Sequence, residues 1–446
     1  MEILSAPVVI PISDPPIING GVVLDGSEIK EIGQKKDLLS KYPQAKFRFF
    51  EQAALLPGLV NAHTHLDLTA FPVDYFSAQK EDAWGMPQCL SGFIDFITGI
   101  IHYRKTVFEQ TFSEAVEEGI ERSIRSGTTC VGDISTFQGE FPIMEKSGLR
   151  CVIFPELLSY DVNRAQDLFE TATALIEKYS HENSKEDLLK VGLSPHTPYT
   201  VSRPLLKIIQ EYARESHFKV QIHVAESFQE MEFFFDAKGE IAEKLFPMVG
   251  WGKMKPPCVR KTPIQYLNTI NFLKCSPTLV HCVQASQGDM NCLVKSKSQV
   301  VLCPRSNAFL GVGQAPLKNL REAGIPLGLG TDSLASNTSL SLWDEMRYCY
   351  FSFQKSMDDK SPLLAKEVLK MATQGSAKTL GLEDKIGSLE KGKAADLIAV
   401  RIQEEVLRED DWENTLFKPL LDRTNDASIR LVMVNGKVLS GSMPTA

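Results

Sequence analysis

Between Leu55 and Ser333 the chain alternates short apolar runs with longer segments that fit helices. The runs read ALLPGLV, TTCVGDI, CVIFPEL, KVGLSPH, VQIHVAE, TLVHCV, VVLCPRSN and PLGLGTD. Runs that are apolar on both faces suit parallel strands covered by helices, and eight of them in βα alternation predict an α/β protein built on a (β/α)8 TIM barrel. Periodicity alone equally allows an open doubly wound sheet. Outside this region the texture changes. Residues 1–54 carry short alternating stretches with the turn signals INGG and LDGSE, and the same texture returns in ADLIAVRI and IRLVMVNGKVLSG. Both ends therefore read as β-hairpin material. The expected organisation is a small β-sandwich made from residues 1–54 and 386–446, closed onto a barrel over residues 55–385.

Polar residues interrupt the apolar runs at one consistent place, the C-terminal end of each predicted strand. His63 and His65 follow the first, Asp133 the second, Glu156 the third and His196 the fourth. His223 and Glu226 lie on the fifth, His281 on the sixth, Arg305 and Asn307 after the seventh, and Asp332 after the eighth. In a TIM barrel that rim is where active sites are assembled. Five of the eight histidines thus converge on one mouth, while His102 falls in a helical stretch.

The spacing carries chemistry. In His63-Thr64-His65 the period-two alternation of a strand places both imidazoles on one side of the chain, within reach of one ion. His223 and Asp332 complete a nitrogen and oxygen set suited to one divalent metal, zinc first and iron second, with a position left for water. Such an ion lowers the pKa of bound water from 15.7 to about 7. Each of these residues alone has an ordinary reading as a hydrogen-bonded core or strand-end group. The conjunction of four candidate ligands at strand ends favours the metal site.

Composition narrows the partners. The chain has 446 residues, enough for a large barrel plus an accessory domain, and is 43% apolar and 23% charged. Its formal net charge of −8, without a basic block, speaks against nucleic acid. The start, MEILSAPVVIPISDPP, lacks the pattern of a signal peptide, and no apolar stretch approaches the roughly 20 residues of a membrane span. Nine cysteines without a C-x-x-C pair suit reduced thiols, so a cytoplasmic location is expected.

PGLVNAHTHLDL, the H-V-A-E at His223 to Glu226, LVHC around His281 and GLGTDSLASN together resemble the amidohydrolase superfamily, mononuclear deaminase type. IGSLEKGKAADLIAV is similar to the segment that leads these proteins back into their composite sandwich. The binuclear members carry a carboxylated lysine on the fourth strand, where this chain has His196 in SPHTPYT, so the resemblance implies one metal. It also implies that His63, His65, His223 and Asp332 are ligands and that Glu226 shuttles a proton. By the same likeness His281 orients water or the developing alkoxide, and Asp332 doubles as a base.

The nearest resemblance is to the branch of methylthioadenosine/S-adenosylhomocysteine deaminases and aminodeoxyfutalosine deaminases, through SPHTPYTVS and PRSNAFLGVGQAPLKNLREAGIPLGLGTDSLASN. There the histidine matching His196 contacts the sugar side of the nucleoside. The W-L-x-x-x-I-x-P-x-E pattern of the homocysteine enzymes is not matched, and GFIDFITGIIHYRK in its place is closer to the aminodeoxyfutalosine type, which serves menaquinone synthesis. The expectation is therefore a hydrolytic deaminase of an adenine-type nucleoside, with Arg305 as a candidate partner for a substrate carboxylate. Glu156 and Asp133 are candidates for substrate contact or for structure. Alternatives are a methylthioadenosine/S-adenosylhomocysteine deaminase, a chlorohydrolase or amidase of the same superfamily, and a non-catalytic scaffold. A homodimer is compatible with folds of this kind. Leu68 to Lys105 and Phe228 to Trp251 are candidate lids.

Overall fold

The computed structural model describes residues 1–72, 80–81, 86–89, 92–136, 139–181, 188–254, 258–354, 361–403 and 407–445. The amino-terminal strands are β1 (Glu2–Val9), β2 (Ile17–Asp25), β3 (Glu28–Gln34), β4 (Lys46–Phe49) and β5 (Ala53–Pro57). β6 (Leu59–Thr64) opens the barrel, and β7 (Lys80–Glu81) and β8 (Pro87–Gln88) form a short antiparallel ribbon. The barrel continues with β9 (Thr128–Ser135), β10 (Arg150–Leu157), β11 (Leu189–Val191), β12 (Ser194–Pro195), β13 (Gln221–Val224), β14 (Thr278–His281), β15 (Gln299–Leu302) and β16 (Leu327–Leu329). The chain ends on β17 (Leu397–Arg401), β18 (Ile429–Val434) and β19 (Lys437–Gly441).

The barrel strands pair in parallel in two groups, β11-β10-β9-β6 and β13-β14-β15-β16, with β12 beside β10. Single parallel bridges, Leu193 to Val220 and Thr64 to Asp332, join the groups at both seams. The fourth barrel strand is the interrupted one, split into β11 and β12. β6 and β9 are buried at every position, as expected for strands with helices outside and packed side chains inside. Helices cover the outside with one apolar stripe each. The helix Arg203–Ser216, for example, buries Leu205, Leu206, Ile209 and Ala213 at spacings of one turn.

The run read as one first strand is two. Ala53–Pro57 pairs with β1 and β17 in the chain-end sheet, and only Leu59–Thr64 belongs to the barrel. Gly58 marks the break, where a Cβ would come within 1.9 Å of the Thr129 hydroxyl, so no larger residue fits. The chain ends combine as expected into one sheet of eight strands, ordered β19-β18-β17-β5-β1-β2-β3 with β4 beside β1. Alternation divides its side chains. Ala53, Leu55, Leu397 and Ala399 enter the core of this sheet, while Ala54, Leu56, Ile398 and Val400 enter the main core with the barrel helices.

A buried ion pair ties the two parts. Arg150 at the start of β10 donates to Asp396 from Nε at 2.8 Å and from Nη2 at 3.0 Å, and Asp396 also accepts from the Asn435 amide at 2.8 Å. No helix among the described residues is long and apolar enough to cross a membrane. All nine cysteines are free. Removing one partner of a buried pair strands the other, so Asp396→Ala is expected to cost about 3 to 5 kcal/mol of stability, read as a lowered denaturation midpoint. Metal content of the folded fraction should not change.

Candidate active site

The strand ends bring His63, His65, His223 and Asp332 together. The ligand-type nitrogens of the three histidines lie within 4.8 Å of one another, and Asp332 Oδ1 is 3.8 Å from His63 Nε2 and 3.6 Å from His65 Nε2. All four residues are buried. Burial lowers the imidazole pKa to about 4 for His63 and about 3 for His223, so both rings are neutral at pH 7.

Their tautomers are set by neighbours. Gln221 turns its amide nitrogen to the Ala62 carbonyl at 3.0 Å, which leaves its oxygen to accept from His63 Nδ1 at 2.6 Å. The His196 carbonyl, which can only accept, lies 2.9 Å from His223 Nδ1. Both Nδ1 atoms therefore carry the proton, and both Nε2 atoms present a lone pair. These two lone-pair nitrogens face each other at 3.2 Å, where neither can donate to the other. A cation between them resolves that opposition, and the neutral imidazoles with one carboxylate form the donor set of a divalent metal. The residues present fit such an ion.

Asp332 is held from its far side. Its Oδ2 accepts from the Ser306 hydroxyl at 2.6 Å and the Ser336 hydroxyl at 3.0 Å, and Oδ1 accepts from the Ser333 amide at 2.8 Å. The backbone is strained at this rim. Ala225, His281, Cys282 and Asp332 all have positive φ, at 53°, 72°, 50° and 56°, which L-residues other than glycine adopt at a cost.

Glu226 and His281 stand beside the cluster, with Glu226 Oε1 3.5 Å from His281 Nε2. His281 Nδ1 pairs with Asn307 Oδ1 at 2.9 Å, and the Glu226 amide donates to Glu230 Oε2 at 2.9 Å. Burial, with Asp332 and Glu230 nearby, raises the Glu226 carboxyl well above the usual carboxylate range. Burial there favours the protonated form. His196 lies on the opposite side, its Nδ1 2.8 Å from the Thr200 hydroxyl.

His65, His196, His223, Glu226, His281 and Asp332 line one cleft, with His63 buried beside them. Its outer wall is apolar. Phe96, Ile97, Ile100 and Ile101 come from the helix Phe93–Thr106, and Leu245, Val249 and Trp251 from the stretch after β13. Parts of both candidate lids thus frame the opening, while residues 73–79, 82–85 and 90–91 of the first lie outside the described residues.

The structure does not bring Arg305 to the cleft. Its Nε donates to Asn337 Oδ1 at 2.9 Å and its Nη2 to Thr338 Oγ1 at 2.6 Å, with Glu345 Oε2 3.9 Å from Nε. These neighbours hold the guanidinium at the rim. Asp133 is structural in its contacts too, accepting from the Leu66 amide at 2.9 Å directly after the His63-Thr64-His65 strand. The guanidinium that does line the cleft is that of Arg104, beside Glu156. Sequence reasoning did not single out Arg104, because a helix does not reveal which side meets a barrel mouth. Gln221 was also missed, although its place two residues before His223 puts both on one face of the strand.

The Amidohydrolase family profile matches residues 54–439. The chain belongs to the amidohydrolase family. A methylthioadenosine/S-adenosylhomocysteine deaminase of Thermodesulfovibrio yellowstonii is 27% identical over 438 residues, 95% of this chain and 91% of that protein. An aminodeoxyfutalosine deaminase of Deinococcus radiodurans is 30% identical over 335 residues, 74% of this chain and 75% of that protein. The solved aminofutalosine deaminase of Helicobacter pylori in complex with methylthio-coformycin superposes with a TM-score of 0.81 at 26% identity, covering 98% of this chain and 100% of that one. This amidohydrolase is accordingly a hydrolase of non-peptide carbon–nitrogen bonds.

Two substitutions test the cluster. His223→Ala should lower metal content measured by mass spectrometry of the purified protein. Gln221→Leu, which removes the partner of His63 Nδ1 and the tie to the Ala62 carbonyl but no candidate ligand, should weaken metal affinity by about 10- to 100-fold in a chelator competition.

Proposed function

We propose that this amidohydrolase is a hydrolytic deaminase of adenine-type nucleosides, with aminodeoxyfutalosine as its substrate. One divalent metal, zinc before iron, would be held by His63, His65, His223 and Asp332. The observation that carries the reading is a cleft lined by His65, His223 and Asp332, with His63 buried beside them and the Glu226 and His281 pair at its floor, under an apolar wall. The metal, when bound, supplies the Lewis acidity that activates water at neutral pH.

The protein groups divide the proton work. Glu226, whose burial favours the protonated carboxyl, donates to the ring nitrogen next to the amino-bearing carbon, which makes that carbon electrophilic. Asp332 takes a proton from the incoming water and passes it to the leaving amino group. His281, whose Nδ1 is engaged by Asn307 Oδ1, presents an Nε2 lone pair that accepts from the incoming water and orients it. Water adds, ammonia leaves, and the hydroxyl proton returns to the Glu226 carboxylate as the ring carbon becomes a carbonyl.

The wall of Phe96, Ile97, Ile100, Ile101, Leu245, Val249 and Trp251 favours a nucleoside whose 5′ substituent is apolar or aromatic. Aminodeoxyfutalosine satisfies this through its ring, and the relatives named for that activity support it. With Arg305 held elsewhere, its carboxylate would be left towards the cleft opening. Methylthioadenosine is the second reading, favoured by the same wall and by the full-length relatives. A homocysteine tail, with its charged amino and carboxylate groups, suits that wall less.

Ammonia release by the metal-loaded protein should be compared across aminodeoxyfutalosine, methylthioadenosine, S-adenosylhomocysteine, adenosine, guanine, cytosine and a chlorotriazine. The highest kcat/KM is expected for aminodeoxyfutalosine. Preference for a free base or a triazine would sink the nucleoside reading. Glu226→Gln should keep its metal and lose about 10²- to 10⁴-fold in kcat; full activity would remove the proton-donor role.

A further inference from the structure

A second cluster of metal-type ligands lies next to the first, with Glu156, His196 and His223 placing their ligand-type atoms within 4.8 Å of one another. Its geometry does not suit a second ion. The Nδ1–H of His223 is engaged by the His196 carbonyl, and its Nε2 faces His63. One ring cannot serve both clusters in that state, so Glu156 needs another explanation.

Glu156 closes β10 with a side chain only 4% exposed, lines the cleft, and holds Oε1 buried without a hydrogen-bond partner. Arg104 reaches it from the last turn of the helix Phe93–Thr106. Asp67 accepts from Arg104 Nη2 at 3.1 Å, which fixes the guanidinium, and Asp67 is itself held by the Thr136 hydroxyl at 2.6 Å. Arg104 Nη1 then stops 3.7 Å from Glu156 Oε2, too far for a hydrogen bond, and its Nε is buried and unpartnered. A purely structural pair would close on itself. Nε and Oε1 are sealed off, so the donor and acceptor left for a ligand at the wall of the cleft are Nη1 and Oε2, 3.7 Å apart.

A group that accepts from one and donates to the other satisfies both, and a hydroxyl does so. A substrate carboxylate would oppose Glu156, and the charge of Arg104 is already countered by Asp67 and Glu156. We propose that Arg104 and Glu156 clamp one hydroxyl of the substrate's sugar, with His196 beside them for the neighbouring hydroxyl, so that the site selects nucleosides with an intact vicinal diol. The proposal rests on the nucleoside reading above and adds the residues that make it specific.

The test compares methylthioadenosine with its 2′-deoxy and 3′-deoxy analogues, on the wild type and on Glu156→Gln, by ammonia release from metal-loaded protein. The wild type should lose about 10- to 100-fold in kcat/KM on one deoxy analogue. Glu156→Gln should lose a similar factor on methylthioadenosine but little more on that analogue, because the lost contact is the same one, and its metal content should match the wild type. Arg104→Gln, acting from the other side of the clamp, should show the same non-additivity and serves if the first variant does not fold. Additive losses in both variants overturn the clamp while leaving the nucleoside reading intact. Absence of turnover with these three nucleosides and with aminodeoxyfutalosine by the metal-loaded wild type overturns both.

Discussion

Two neutral imidazoles that point lone pairs at each other across 3.2 Å are the constraint around which this protein is arranged. Left alone, that contact is unfavourable. It persists because Gln221 and the His196 carbonyl hold the opposite ring nitrogens, and because the barrel strands that carry His63 and His223 are buried at every position. Asp332 joins from a third direction with its outer oxygen held by two serines. The four groups converge without further movement, which is the preorganisation a metal site needs.

The same burial that keeps the imidazoles neutral shapes the rest of the cleft. It raises the carboxyl of Glu226 and leaves Glu156 and Arg104 facing each other with open valences. Polar groups in so dry a space act at close range and in fixed directions. The apolar wall above them excludes water and sets which molecules can approach. Chemistry at the floor and selection at the wall therefore come from different elements, the floor from strand ends and the wall from the helix Phe93–Thr106 and the stretch after β13. Such a division lets one barrel serve different substrates through its insertions.

The chain-end sheet is more than an appendage. Its strands send alternate side chains into the core they share with the barrel helices, so neither part can shift independently. Arg150 and Asp396 add a directed tie where the returning chain meets the start of β10, and the Asn435 amide completes the carboxylate's partners.

Much of this was legible in the residues alone. The apolar runs indicated the barrel, the turn-rich ends indicated a small β-sandwich built from both, and the polar residues at strand ends indicated His63, His65, His223, Glu226, His281 and Asp332 as neighbours. These features are legible because strand geometry is periodic and a parallel barrel places every strand end on one rim. What sequence left open depends on distance across space. The break at Gly58 follows from the approach of Thr129, and the placement of Arg305 follows from Asn337, Thr338 and Glu345, contacts that no local pattern encodes. Arg104 enters the cleft from a helix whose orientation only packing decides. The sequence by itself determined the elements and the chemistry of their ends; the tertiary structure alone decided which side chains meet, because hydrogen bonds and ion pairs act over a few ångströms between residues far apart in the chain.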